Sequence, residues 1–312
     1  MDKTDVATSL AGVNLESCIF NASGAADMTL EELEIIAKSA SSAITMKSCT
    51  RQPRDGNPEP RYADLESGSI NSMGLPNLGY KAYIEFASTL KKNYQKPIIA
   101  SVCGMTLEDD VTMFEAFGNS EIDIIEFNPG SPNTIGKPIV GYDAAEMDRL
   151  LDAVSKVAKN PFGVKLPPYF DLAHFDEIAK VIKKYPVKFV TCINSLGNGL
   201  AIDAKSEKPL IKPKGGFGGI GGKYAKFTAL ANVRRFYELF EDKIQVIGVG
   251  GVYTGTDAFE FILAGATAVQ IGTAFLQKGP GIFASVEGEL KDLMNQKGYT
   301  KLSDFRGKLK TL

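Results

Sequence analysis

Eight short runs of apolar, often β-branched residues recur along the chain. Each is followed by a Gly, Asn, Ser or Pro cluster and then by a segment with helical spacing. The runs cover residues 17–22, 43–48, 97–103, 122–127, 162–166, 187–193, 244–249 and 267–272. Near-continuous apolar runs suit parallel strands buried on both faces. Helical segments fall at about 29–39, 78–94, 107–118, 143–159, 171–184, 225–241, 256–264 and 281–296. Thr29 with Glu32, Thr106 with Asp109 and Asp143 with Glu146 each set a capping oxygen three residues before an acid, a helix start signal. This alternation predicts an α/β fold of the closed (β/α)8 TIM-barrel type. An open doubly wound sheet also alternates, usually with fewer strands. The 312 residues are expected to form one domain, with no linker. Two connections, 49–77 and 194–224, exceed ordinary βα loops and are expected over the barrel mouth, because loops of that length are usually functional.

Composition narrows the function. Lys and Arg number 35 against 37 Asp and Glu, a net charge of −2. Nucleic-acid binding needs a surplus of cations to displace counterions, so no nucleic-acid partner is expected. Cys18, Cys49, Cys103 and Cys192 lie far apart with no CxxC, which argues against a local zinc or iron–sulfur site and for reduced thiols in the cytoplasm. No signal peptide opens the chain and no run of about 18 apolar residues occurs, so no membrane span is expected. The single histidine, His174, excludes a multi-histidine metal site and reads as a surface or capping residue of a helix start.

Barrel active sites stand at the C-terminal strand ends. There the chain has Asn21-Ala22-Ser23-Gly24, Lys47-Ser48, Ser101-Val102-Cys103-Gly104, Asn128, Lys165, Asn194-Ser195, Gly250-Gly251 and Gly272-Thr273. Turn chemistry accounts for the Gly and Ser. It does not account for Lys47 and Lys165, which apolar residues flank, since an unpaired buried ammonium is costly. The two lysines point to an anionic or electron-rich ligand in preference to structural ion pairs. The glycine turns at 249–252 and 271–273 let backbone N–H groups approach a phosphate closely. GGFGGIGG at 215–222 is too glycine-rich for a regular element and is expected to wrap the same ligand. Asn71, Asn128, Asn133 and Asn194 offer both donors and acceptors, which suits the imide edge of a pyrimidine-like ring.

NSMGLPN (71–77), GNPEPR (56–61), NPGSPNTIGKPIVGYD (128–143), VKLPPYFD (164–171), INSLGNG (193–199), GFGGIGG (216–222), VGGV and QIGT together resemble the dihydroorotate dehydrogenases. More closely they resemble the soluble, class 1A-like subfamily that uses fumarate. The resemblance runs through nearly the whole chain. It implies a barrel carrying FMN, a cytosolic homodimer, and oxidation of dihydroorotate to orotate in pyrimidine biosynthesis. It implies that Lys47, Asn71 and the backbone at Met73, Gly74 and Leu75 hold the substrate carboxylate end. Asn128, Asn133, Asn194 and Ser195 would bond the pyrimidine ring. Lys165 would lie against the flavin ring, with Ala22, Ser23, Gly24, Lys47, Ser48, Asn128 and Ile193 around it. Gly222, Gly250, Gly251, Gly272 and Thr273 would take the phosphate side.

One segment departs from the subfamily, which usually has Asn-Leu-Ser-Cys-Pro-Asn with cysteine as base. Here the segment reads Asn128-Pro129-Gly130-Ser131-Pro132-Asn133, so Ser131 takes the cysteine position. A hydroxyl is a far weaker acid than a thiol and needs a relay. Three readings stay open: a working base, an engineered replacement, or a paralogue with another dihydropyrimidine-like substrate or reduced activity. A catalytically impaired orotate-binding flavoprotein and a Schiff-base aldolase on Lys165 are the competing functions. The segment 129–142 is expected to act as a lid over Ser131.

Overall fold

The protein is described by a computed structural model that covers residues 4–129 and 139–312. The chain opens with an antiparallel hairpin, β1 (Thr8–Leu10) and β2 (Val13–Leu15), then enters β3 (Ile19–Asn21) and β4 (Ile44–Thr45). A second hairpin, β5 (Tyr62–Leu65) and β6 (Gly68–Asn71), precedes β7 (Ile98–Val102), β8 (Ile124–Phe127), β9 (Phe162–Leu166) and β10 (Phe189–Cys192). Next come β11 (Leu196–Leu200), β12 (Ile202–Asp203), β13 (Lys208–Pro209) and β14 (Phe217–Gly222). The last strands are β15 (Gln245–Val249) and β16 (Ala268–Ile271). Among the described residues, eight parallel strands pair in the order β3-β16-β15-β10-β9-β8-β7-β4.

Helices alternate with these strands: α1 (Leu30–Lys38), α2 (Tyr80–Asn93), α3 (Leu107–Phe117), α4 (Ala144–Ser155), α5 (Leu172–Ile182), α6 (Lys226–Phe240) and α7 (Gly255–Ala264). After β16 come a short α8 (Thr273–Lys278) and α9 (Gly281–Lys297). Thr29 and Thr106 form the expected capping boxes, and Asp143 accepts from the Glu146 N–H. His174 starts α5 half-exposed, its N–H bonded to the capping Asp171.

The two end strands of the barrel order, β3 and β4, meet through a side chain. Asn21 Nδ2 donates to the Thr45 carbonyl at 2.7 Å, and Asn21 Oδ1 accepts from the Thr45 N–H at 2.8 Å. The carboxamide thus substitutes for one residue of ladder, aided by the Ser42 N–H donating to Ile19 O at 3.0 Å.

Side chains alternate along a strand, so the barrel interior is read every second residue. Phe20, Ile99, Ile124, Phe189, Ile247 and Ala268 form one buried cluster with Leu10 and Leu15 of the first hairpin. That apolar layer fills the N-terminal end of the barrel. Phe189 lies over Gly163, where any side chain would run into its ring. Two residues further along the same strands the character changes to Ser101, Glu126, Lys165, Thr191 and Gln270, all buried. A polar layer therefore stands on an apolar one, toward the mouth.

The two long connections do not stay irregular. They supply β11, β14, β6 and β5 of a four-stranded antiparallel sheet. This corrects the reading of 215–222, since Phe217–Gly222 is a strand pairing with β6 on one side and β11 on the other. Its glycines are needed because the neighbours are close: a Cβ on Gly221 would stand 2.7 Å from Thr273 Oγ1.

Asn21→Ala would leave the buried Thr45 N–H and C=O unpaired at the seam. We expect a loss of about 2–4 kcal/mol of stability, read by urea unfolding with the fold retained by circular dichroism; an unchanged midpoint would contradict the closure.

Candidate active site

A cavity of ≈ 540 Å³ opens at the C-terminal ends of the barrel strands, under the four-stranded sheet. Its size lies within the roughly 300–1,000 Å³ of small-molecule and cofactor sites. Strand ends contribute Ala22, Ser23, Gly24, Lys47, Ser48 and Asn128. Lys165, Ile193, Asn194, Ser195, Gly250, Gly251, Gly272 and Thr273 line it as well, with Asn71, Met73, Leu75 and Gly222 from the long connections. Gly74 departs from the expectation, because it does not line the cavity. Its φ of +75° turns the loop against Asn57, which a side chain there would strike. Ser131, Asn133 and most of the 129–142 lid lie outside the described residues.

Lys47 follows β4 and is 7% exposed, and Lys165 sits on β9 at 5%. The Lys47 Nζ donates to Gly24 O at 3.0 Å. Gly24 N–H in turn donates to Asp27 Oδ2 at 2.7 Å, so ammonium and carboxylate hang on one residue. Asp27 is 1% exposed and its Oδ1 has no hydrogen-bond partner. Burial pushes the Asp27 carboxyl up to about 6, against the pull of Lys47. Burial likewise holds the Lys47 ammonium below its ordinary range, with Asp27 opposing. Lys165 Nζ stands 3.7 Å from Glu126 Oε1 in the polar layer.

A chain of hydrogen bonds crosses the mouth. Ser23 Oγ lies 3.2 Å from Ser48 Oγ, which lies 2.7 Å from Ser101 Oγ. Asn128 Nδ2 donates to Ser48 Oγ at 3.1 Å, and Asn194 Nδ2 donates to Asn128 Oδ1 at 3.1 Å. Two carboxamides are thereby oriented side by side at the cavity wall, a presentation that suits a planar ring with alternating donors and acceptors.

The opposite end is lined by glycine. Gly251 has φ +74°, and a Cβ there would stand 2.8 Å from Lys226 Cβ and 3.0 Å from Gly222 O. Backbone, rather than side chains, forms that wall. A wall of peptide groups suits an anion, as at phosphate sites of barrels.

The dihydroorotate dehydrogenase sequence profile matches residues 5–294. The chain belongs to the dihydroorotate dehydrogenase family. It is 52% identical over 296 residues to dihydroorotate dehydrogenase (fumarate) of Trypanosoma cruzi strain CL Brener, covering 94% of each chain. It is 49% identical over 308 residues to dihydroorotate dehydrogenase A (fumarate) of Lactococcus lactis subsp. cremoris, covering 98% of this chain and 99% of that one. Among solved structures, DHODH of Eimeria tenella with ferulenol superposes with a TM-score of 0.84 at 20% identity, over 98% of this chain and 89% of that one. That likeness concerns the fold, a dihydroorotate dehydrogenase barrel.

Several residues in and around this dehydrogenase cavity escape sequence reasoning. Asp27 reads as an ordinary turn acid before α1, and only its burial beside Lys47 singles it out. Glu126 and Gln270 read as chance polar residues in apolar strands; their period-two offset from the apolar layer was the available signal. Tyr62, Asp64, Tyr253 and Gln277 form a network that ties β5 to α8. Tyr62 Oη donates to Asp64 Oδ1 at 2.8 Å and Gln277 Nε2 to the same oxygen at 2.9 Å. Tyr253 Oη donates to Gln277 Oε1 at 2.8 Å. No local pattern announces contacts across such sequence distances.

The raised Asp27 carboxyl makes a signed prediction. The folded chain holds that proton to about 6, whereas the ordinary value is 3.8. Stability linked to the proton is complete below about pH 4 and is lost as pH rises through about 6. Asp27→Asn is expected to exceed the parent in stability near pH 8 by on the order of 2–3 kcal/mol, with the gap closing toward about pH 4. Urea unfolding across that range measures it, and a gap independent of pH would refute the buried carboxyl.

Proposed function

We infer that this protein oxidises dihydroorotate to orotate and passes the electrons to fumarate, with FMN as its resident carrier. The observation that carries the reading is the meeting of two buried ammonium groups, paired carboxamides and a glycine wall in one cavity of a chain half-identical to fumarate-type dihydroorotate dehydrogenases. Bound FMN supplies two-electron transfer, which side chains do not offer.

The remaining work falls to the residues. Lys47 and Asn71, with Met73 and Leu75, hold the substrate carboxylate, while Gly74 shapes the loop from outside the cavity. Asn128, Asn194 and Ser195, joined by Asn133, orient the pyrimidine ring. Ser131 accepts the C5 proton as its own hydroxyl proton leaves to solvent water. Lys165 sets a positive charge against the flavin ring, and Ala22, Ser23, Gly24, Ser48 and Ile193 pack near it. Gly222, Gly250, Gly251, Gly272 and Thr273 take the phosphate side, where a side chain at Gly251 or Gly221 would strike the neighbouring protein atoms and disturb the wall. The protein purified anaerobically should be yellow, lose its visible absorbance on adding dihydroorotate, and regain it with fumarate. A flavin that dihydroorotate leaves oxidised would reject the activity.

We further propose a homodimer in the cytosol. The four cysteines are buried thiols, as a reducing compartment permits, and no described helix is long and apolar enough to cross a membrane. Leu200 and Phe217 pair directly across β11 and β14, yet are 46% and 43% exposed, and nearby Ile202 is 62% exposed. Apolar side chains clustered on an outer sheet suit burial against a second copy. Leu200→Glu is expected to shift sedimentation from dimer toward monomer; a monomeric parent protein would refute the dimer.

A further inference from the structure

The polar layer beneath the cavity holds a carboxylate that the proposed reaction does not use. Glu126 lies on β8 between Ser101 of β7 and Gly163 of β9 in register, and its side chain is fully buried inside the barrel. Its Oε2 accepts from Thr191 Oγ1 on β10 at 2.9 Å and from Gln270 Nε2 on β16 at 2.9 Å. Two other strands of the barrel therefore hold one oxygen. The other, Oε1, has no hydrogen bond and faces Lys165 Nζ across 3.7 Å.

This geometry is informative about purpose. A buried ion pair is weak evidence for stability, because desolvation offsets most of its attraction, and apolar residues of like volume often serve the fold as well. The apolar layer two residues lower shows that this barrel packs well without charge. A pair kept only to neutralise Lys165 would close to the 2.7–2.9 Å of a charge-assisted hydrogen bond. Instead, Thr191 and Gln270 hold the carboxylate back, so that Lys165 faces the cavity with its charge only partly answered.

We propose that Glu126, anchored by Thr191 and Gln270, is a positioning residue that fixes Lys165 and sets how much positive charge the cavity presents to the flavin. The inference rests on the FMN reading above. It gives two variants opposite signs. Glu126→Gln keeps the shape and removes the negative charge, leaving the Lys165 ammonium unanswered beside the ring, which favours the more electron-rich reduced form. Thr191→Val keeps both charges and releases one anchor, so the carboxylate can close on Lys165 and cancel more of its field.

The test is the two-electron midpoint potential of the bound flavin, measured by dye-linked anaerobic titration of the parent, Glu126→Gln and Thr191→Val. We expect Glu126→Gln to shift the reduction equilibrium upward by at least about tenfold, which is about 30 mV for a two-electron couple. Thr191→Val should move it downward. In a Lys165→Met background Thr191→Val should no longer move the potential, because the carboxylate then has no ammonium to close on. Potentials of flavin-loaded Glu126→Gln and Thr191→Val that match the parent, or that move together in one direction, would overturn the inference. Should Glu126→Gln fail to fold, Thr191→Val alone decides it, since a merely structural hydrogen bond would lower its melting temperature and leave its potential in place. A parent protein that binds no flavin would instead overturn the reading beneath it.

Discussion

An ammonium group taken out of water costs several kcal/mol unless oxygens or opposite charge surround it, and this barrel buries two at its mouth. Each is answered differently. Lys47 bonds a backbone carbonyl whose own residue holds Asp27, so charge and counter-charge share the turn after β3. Lys165 faces Glu126 across a gap that two neutral donors keep open. Lys165 could not persist here if the strands around it carried only apolar side chains, and Lys47 depends in the same way on the turn that carries Gly24 and Asp27.

The barrel meets that demand by layering. Within one period of two along β7, β8, β10 and β16, interior side chains pass from Ile99, Ile124, Phe189 and Ala268 to Ser101, Glu126, Thr191 and Gln270. The lower layer is sealed by Leu10 and Leu15 of the first hairpin and supplies packing. The upper layer supplies hydrogen bonds and charge. Above both, the two insertions meet as one antiparallel sheet whose glycines allow close approach, and it roofs the cavity. The network of Tyr253, Gln277 and Asp64 fastens that roof to the barrel.

Much of this was legible in the letters. The eight-fold alternation predicts the barrel, the Thr and Asp caps set three helix starts, and lysines among apolar residues at strand ends mark the site. Other parts were not. GGFGGIGG violates every local preference for a strand, yet β14 forms because β6 and β11 flank it on both sides. The hairpin of β1 and β2 is too short for a periodic signal and is ordered by packing into the barrel end. Gly74 was expected in the cavity, but its left-handed turn against Asn57 sets it outside.

By itself, then, the sequence determined the eight barrel strands, the helices between them and which residue types stand at the strand ends, because those follow from periodicity, capping and turn chemistry over a few residues. Only the tertiary structure decided which groups meet. Asn21 closes the seam on Thr45, Asp27 joins Lys47 through Gly24, and Glu126 reaches Lys165, Thr191 and Gln270 at once. Those encounters depend on the tilt and register of strands drawn from distant parts of the chain. Their energies come from burial, a property that no residue has until the barrel has closed around it.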